Sequence, residues 1–449
     1  MLYGPLFGSN PSVLIQAPLY YRLTGLLAAP WVWTGTDPLA ACFRAGRLIS
    51  ALSFLALLIL AGRLARADGG QGGAILPALL IAGSPLMGSY PATMRPDLLG
   101  IALQTGGLAL AAAVAIDPNT RAARRLTIAF GLFALAFLTK QHYIVGPIAS
   151  ALWLAIACKS RRSLIGPLLG ACALFVAIVA GCLAVENRIT QGAMMRSVFQ
   201  LPGELQHVTA GSWAYVAVVF VETFKRGLPL LAMGLAAAWA TSGRRWPAFD
   251  RWLLLIIAME LALMVQLCRN SSGAWFNYAL QATVCFAILI GRRLAELPRT
   301  ASLPRIAPLL IAVGLILAAD VRLVAKGSAL RLGALAERRA LLADPRVAVV
   351  PETARYFTGT YQHYNRLAGD AELAHDEWLY QAFEAIDAAE PRELWLKKAL
   401  TDGQVQLVVV EQPGENESAP RVAGVSEPLP ELGFTPAGRS GRFDLWKRR

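Results

Sequence analysis

The sequence predicts a mainly α fold: a polytopic bundle of about ten transmembrane helices with a small extracytoplasmic α/β domain at its C-terminus. Composition gives the class, because 56% of the 449 residues are hydrophobic and 16% are charged, whereas a soluble domain carries about 25% charged residues. A mean hydropathy of +0.49 points the same way. Charge gives the division, since residues 1–323 hold 26 Lys and Arg against 11 Asp and Glu, while residues 324–449 hold 16 against 18.

Apolar runs punctuated by charge, Pro and Gly place the spans near residues 43–62, 74–91, 97–116, 126–139, 142–158, 164–185, 228–242, 251–268, 275–291 and 304–323. The runs at 126–139 and 142–158 are short for a bilayer core that needs roughly 20 residues, which predicts tilt or shielding by neighbours. Orientation follows from the connections. Arg63 and Arg66, Arg121 to Arg125, Lys159 to Arg162, Arg244 to Arg251, and Arg292 to Arg305 make every second connection short and basic, hence cytoplasmic. Both termini then lie outside, in a cell (inner) membrane, and the net charge of +13 reports topology, not nucleic-acid binding.

Three regions follow. Residues 1–42 read as an external loop with a short interfacial helix at Pro18 to Leu27, interrupted by Pro5, Pro11, Pro18 and Pro30 and flanked by Tyr20, Tyr21, Trp31 and Trp33, which suit a headgroup layer. Residues 43–323 form the membrane domain, and residues 324–449 a domain with its own core. In that tail Arg346 to Val350 and Val405 to Val410 are β-branched runs, and Glu377 to Ala389 and Arg392 to Leu400 read as helices. Asp402-Gly403 marks a turn, and Phe443 to Trp446 closes a sheet. The six cysteines all fall in or beside apolar spans, which argues for packing over disulfides or a metal site.

Candidate chemistry is sparse. Arg95-Pro96-Asp97 sets a base and an acid between two long apolar runs, where charge is costly and a function is the usual reason to keep it. The alternative is that Arg95 and Asp97 pair and cap the span that follows. Glu260, inside a span, is expected to hydrogen-bond a neighbouring helix. The segment from Glu186 to Phe224 reads either as an interfacial lid or as a connector. There is no Walker A loop, no GxGxxG, no GxSxG, and none of the four His has zinc spacing.

Five stretches occur in order: Gln16-Ala17-Pro18-Leu19-Tyr20-Tyr21, Arg44 to Ser50, Arg95-Pro96-Asp97, Leu138-Thr139-Lys140-Gln141 and Gly273 to Tyr278. With a small α/β tail after the last span, this series resembles the landmarks of the GT-C integral-membrane glycosyltransferases, on the branch of the protein O-mannosyltransferases and aminoarabinose transferases. The resemblance covers nearly the whole chain. It implies an inverting transferase that takes a hexosyl or pentosyl group from a polyprenyl-phosphate sugar donor in the bilayer. The group passes to a glycan, lipid or protein acceptor at the outer face.

Such a reaction needs a carboxylate base and cations for the departing phosphate. Asp97 is the catalytic candidate, and Arg44, Arg47, Arg95, Lys140, Gln141, Arg269, Asn277 and Tyr278 are candidates for holding donor and acceptor. Lys140 has a plainer reading as a snorkelling side chain, and Asn277 and Tyr278 as a polar turn with an interfacial aromatic. The family's principal acid lies in a first external loop upstream of the Pro-Leu-Tyr-Tyr stretch, yet Met1 to Ile15 hold no Asp or Glu. The expectation is therefore a further span and acid upstream of Met1; a non-catalytic carrier, flippase-like protein or accessory subunit is the alternative. No cofactor is specified, and a divalent cation would draw on Asp97 and that upstream acid.

Overall fold

The computed structural model describes residues 17–36, 38–66, 75–84, 86–87, 90–92, 95–117, 121–157, 162–195, 198–199, 213–241, 247–270 and 276–295, followed by 337, 340–351, 354–357, 400–411, 428–441 and 443–449. These fall into two units, one ending by residue 323 and the other beginning after it. The first is helical throughout: α1 (Leu19–Trp33), α2 (Pro38–Ala65), α3 (Ile75–Ala82), α4 (Asp97–Ile116), α5 (Ala122–Thr139), α6 (Val145–Ala157), α7 (Ile165–Ile189), α8 (Trp213–Ala240), α9 (Ala248–Asn270) and α10 (Leu280–Ala295). Six described helices are long and apolar enough to cross a membrane: Ala41–Ala65, Asp97–Ile116, Ala122–Thr139, Ile165–Ile189, Ala248–Asn270 and Asn277–Ala295.

Several spans differ from the sequence reading, each for a local reason. The run at 74–91 is not one span: α3 stops at Ala82, the chain turns through Gly83 and Ser84, and a short 3₁₀ turn covers Tyr90–Ala92. Pro85 follows Ser84, and a residue before proline is pushed out of the helical region. By contrast α5 begins four residues earlier than expected and reaches 18 residues. Its Arg125 reaches back to the carbonyls of Ala113 and Asp117, so the charge leaves the apolar layer without ending the helix. α6 stays short at 13 residues, about 20 Å of helix.

The stretch Trp213 to Phe224 is neither lid nor connector but the first half of the 28-residue α8, which continues through Gly227 and Pro229. A membrane helix tolerates proline where its neighbours satisfy the freed backbone group. The N-terminal helix also runs on to Trp33, past Pro30, and buries Tyr20, Thr24 and Ala28. The span expected at 304–323 and the helices expected at 377–400 lie outside the described residues, Leu400 excepted.

α4 is the centre of the bundle, lined by α2, α5 and α6. Its glycines allow that density. A Cβ on Gly107 would stand 2.4 Å from the Phe133 ring of α5, so only a hydrogen lets the ring lie flat against the helix. At the basic end of the bundle, Asp250 of α9 is fully buried and meets two guanidiniums of α10, Arg292 Nε at 2.8 Å and Arg293 Nε at 3.0 Å. Arg292 also donates to the carbonyl of Ala65, the last residue of α2, at 3.1 Å and covers the Phe249 ring. Three ends that the positive-inside rule placed on one side are thus joined there.

The second unit holds a four-stranded sheet: β1 (Arg355–Phe357), β2 (Leu407–Glu411), β3 (Phe434–Ser440) and β4 (Phe443–Arg448), in the order β1-β2-β4-β3. β1 and β2 are parallel, and the other pairs are antiparallel. Strand β2 is apolar on every residue from Leu407 to Val410 because both faces are covered: Val408 and Val410 join Tyr356, Phe434 and Trp446, while Leu407 and Val409 join Val347, Phe443 and Leu445. The β-branched run at Arg346 to Val350 is not a strand. Asp344 caps a single helical turn, Pro345–Ala348, by accepting from the backbone N–H of Arg346, and Pro345 takes the first helical position. Arg346 then donates to the carbonyls of Ala437 and Arg439, across the bulge in β3.

Removing the acid at the basic end tests how much the bundle relies on it. Asp250→Ala leaves two buried guanidiniums without their counter-ion and is expected to cost about 3–5 kcal/mol. Thermal unfolding in detergent should fall well below wild type, while the exposed neighbour Arg251→Ala should change it little.

Candidate functional site

Asp97 opens α4. Pro96 stands at the N-cap, with φ −69° and ψ −18°, and needs no N–H there, while the carboxylate of Asp97 in the first turn faces the positive end of the helix dipole. The side chain is buried, and its partner is Lys140: Nζ to Oδ1 is 2.9 Å. Lys140 ends α5 because its backbone is extended, at φ −159° and ψ 124°, which turns the chain and sends the ammonium toward α4. Asn277, in the 3₁₀ turn that leads into α10, donates to the same oxygen at 3.4 Å.

Aromatic rings close around the pair. Lys140 Nζ sits 4.6 Å from the centre of the Tyr278 ring, a cation–π contact. His142 lies between Tyr143, 4.0 Å away centre to centre, and Tyr278, 4.8 Å away. Tyr143 donates its hydroxyl to the Asp97 carbonyl at 2.9 Å. That ring occupies the space a side chain on Gly100 would fill, since a Cβ there would stand 2.1 Å from the Tyr143 ring. Ser50 of α2 donates to the Arg95 carbonyl at 3.4 Å, and the exposed Arg95 covers the Tyr90 ring.

The electrostatics are those of a dry ion pair. A buried carboxylate persists only with a well-placed cation and hydrogen bonds, and Lys140 and Asn277 supply both. His142, in the loop between α5 and α6, is buried with its ring between those of Tyr143 and Tyr278. One level deeper, Gln104 of α4 donates to Glu260 of α9 at 3.0 Å, which is the interhelical bond expected for that acid. Seven residues separate Gln104 from Asp97, about 10 Å along the helix.

Asp97, Lys140, Asn277 and Tyr278 therefore meet, although 180 residues separate the first from the third. The pairing of Arg95 with Asp97 that the sequence left open is replaced by Lys140. Gln141 shares the Lys140 turn and is half-buried. Arg269 lies over the Trp213 ring, 4.6 Å from its centre, and ties the end of α9 to the start of α8. Arg44 and Arg47 are exposed on α2, with Arg47 over the Phe43 ring. Sequence reasoning missed Tyr143, Ser50 and the close approach at Gly100. Gly100 lies three residues after Asp97, and so on the same helix face, the one signal available. Among the described residues no group of three or more His, Cys, Asp or Glu is placed to hold a metal ion.

Residues 27–184 match the family described as dolichyl-phosphate-mannose-protein mannosyltransferase. No curated protein matches the chain significantly. The crystal structure of ArnT from Cupriavidus metallidurans in the apo state aligns over 97% of this chain and 88% of its own, with 15% identity and a TM-score of 0.61. The same protein bound to undecaprenyl phosphate aligns over the same shares, with 14% identity and a TM-score of 0.61. The chain thus has the fold of ArnT, and the family match supports the GT-C membrane glycosyltransferase resemblance read from the motifs.

A double-mutant cycle tests the central pair. Asp97→Asn and Lys140→Met should each lower stability by about 3–5 kcal/mol, because each leaves a buried group without its partner. The double variant should lose much less than the sum, as read from thermal unfolding in detergent; additive losses would refute the pairing.

Proposed function

We propose that this chain is a membrane glycosyltransferase that moves a sugar from a polyprenyl-phosphate donor to an acceptor hydroxyl at the outer face of the cell membrane. The observation that carries the reading is the buried Asp97–Lys140 pair with Asn277 and Tyr278 beside it, at the ends of α4, α5 and α10. It is supported by the fold shared with ArnT, a protein whose structure is known with undecaprenyl phosphate bound. The basic connections at the opposite helix ends support an outward-facing site and an extracytoplasmic C-terminal domain.

In this reading the acceptor oxygen attacks the anomeric carbon from the face opposite the phosphate, the bond from that carbon to the phosphate oxygen breaks, and configuration inverts. The hydroxyl proton passes to Asp97. A lysine ammonium has three donors, and protonation of Asp97 releases Lys140 from its counter-ion as the leaving phosphate gains charge. Lys140 and the exposed Arg95 take up that charge. Asn277 and Tyr278 orient donor or acceptor hydroxyls, and Tyr143 keeps the first turn of α4 in place through the Asp97 carbonyl.

Binding and turnover separate these roles. Lys140→Met and Arg95→Ala should each weaken undecaprenyl-phosphate binding about 10- to 100-fold, the loss expected for a hydrogen bond to a charged group. Asp97→Asn should abolish transfer from an undecaprenyl-phosphate hexose or pentose in proteoliposomes. Wild-type turnover by Asp97→Asn, or undiminished lipid binding by both cation variants, would sink the assignment.

A further inference from the structure

A groove of about 650 Å³ runs along α4 between α2 and α5. Its floor is Ala102, Gly106, Ala109 and Ala113, spaced four, three and four residues apart and therefore on one helix face. Leu60 of α2 and Leu132 of α5 rise on either side. From Leu52 to Arg63 the α2 wall spans about 17 Å, close to the depth of a single leaflet in a hydrocarbon core about 30 Å thick.

The two ends of the groove differ in charge. Near Asp97 the lining is Leu52, Ser53 and Leu99, with no charged residue. At the far end Arg63 lines the groove from an exposed position, and the exposed Arg66 follows in the turn just past the end of α2. Arg125 of α5 stands at that end too, since it donates to the carbonyl of Ala113, which lines the groove. Asp117, 3.8 Å from Arg125 and mostly exposed, offsets only part of this positive charge.

We infer that the groove holds one acyl chain of an anionic phospholipid, with its headgroup phosphate at the Arg63 and Arg125 end. The apolar depth suits a single chain and the cations suit a phosphate, which Arg binds with several donors in a fixed fork. The tail of a polyprenyl-phosphate donor is a poorer occupant. Its phosphate belongs with Lys140 and Arg95 at the other end of α4, where no cation lines the groove. The two lipids would therefore enter α4 from opposite ends.

Native mass spectrometry of the full chain, delipidated and then offered phosphatidylglycerol, phosphatidylcholine or undecaprenyl phosphate, tests this. Phosphatidylglycerol should be retained over phosphatidylcholine, and Arg63→Gln and Arg125→Gln should each lower its retention about fivefold, the weight of one cation at an anionic headgroup. Ala56→Phe, which fills the groove from an exposed position on α2, should abolish retention without moving thermal unfolding. Equal retention of the two phospholipids, or Arg variants that behave as wild type, would overturn the proposal. So would one-for-one displacement by undecaprenyl phosphate, which would give the groove to the donor. Retention is read without a transfer assay, so loss of this site and loss of the proposed activity are distinguishable.

Discussion

Asp97 and Lys140 come from helices that could close on each other only by taking both charges out of water. That transfer costs several kcal/mol for each ion, and it is offset only when the geometry is good and further hydrogen bonds are made. The pair meets both conditions, with Nζ to Oδ1 at 2.9 Å and Asn277 on the same oxygen. Much of the local architecture follows from that requirement. α5 must end at Lys140 so that the ammonium can turn toward α4, and α10 must be preceded by a 3₁₀ turn that presents Asn277 and Tyr278. Gly100 must lack a side chain so that Tyr143 can hold the Asp97 carbonyl.

α10 links this point to the other end of the bundle. Asn277 touches Asp97 at its start, and fifteen residues later, a little over 20 Å along the helix, Arg292 is bound to Asp250 and to the end of α2. The helix is held at both ends by buried charge, and its window of apolar residues is 78% buried, more than for any other described span. α7 is the opposite case. It is the most apolar described span and only 6% of it is covered, so it meets the surroundings, not the site. Position in the bundle, more than hydropathy, separates the span that holds Asn277 and Arg292 from α7.

This also explains what could be read from the chain alone. Most span positions were legible because long apolar runs have few alternatives, and Asp97 and Lys140 stood out as charges that an apolar run would otherwise exclude. Their pairing was not. Lys140 is 43 residues from Asp97 and Asn277 is 180, and no local spacing encodes which charge meets which. The nearest cation, Arg95, was the natural partner by sequence, but it points to Tyr90 and solvent. Errors in the spans had a related origin. Ser84 before Pro85 broke an apolar run that composition joins, while Arg125 and Pro229 were absorbed by helices that punctuation would have ended.

Buried ion pairs are weak contributors to stability, and well-packed apolar residues of similar volume often do as well or better. In a bundle whose core is already close-packed around Phe130, Phe133 and Tyr143, a Leu and a Met could fill the space of Asp97 and Lys140 without desolvating any charge. Stability therefore gives no reason for the pair, and at the basic end the same reasoning applies to Asp250. The two clusters differ in what surrounds them. Asp250 faces two arginines that are buried with it, and the Phe249 ring lies against one of them. Asp97 and Lys140 are flanked by half-buried Asn277 and Tyr278 and by the exposed Arg95, so under the proposed function the pair would exchange one partner for another when a phosphate and a hydroxyl arrive. On the proposed reading, a neutral pair that separates into a protonated acid and a phosphate-bound ammonium would carry charge through the reaction without leaving an isolated ion in the membrane.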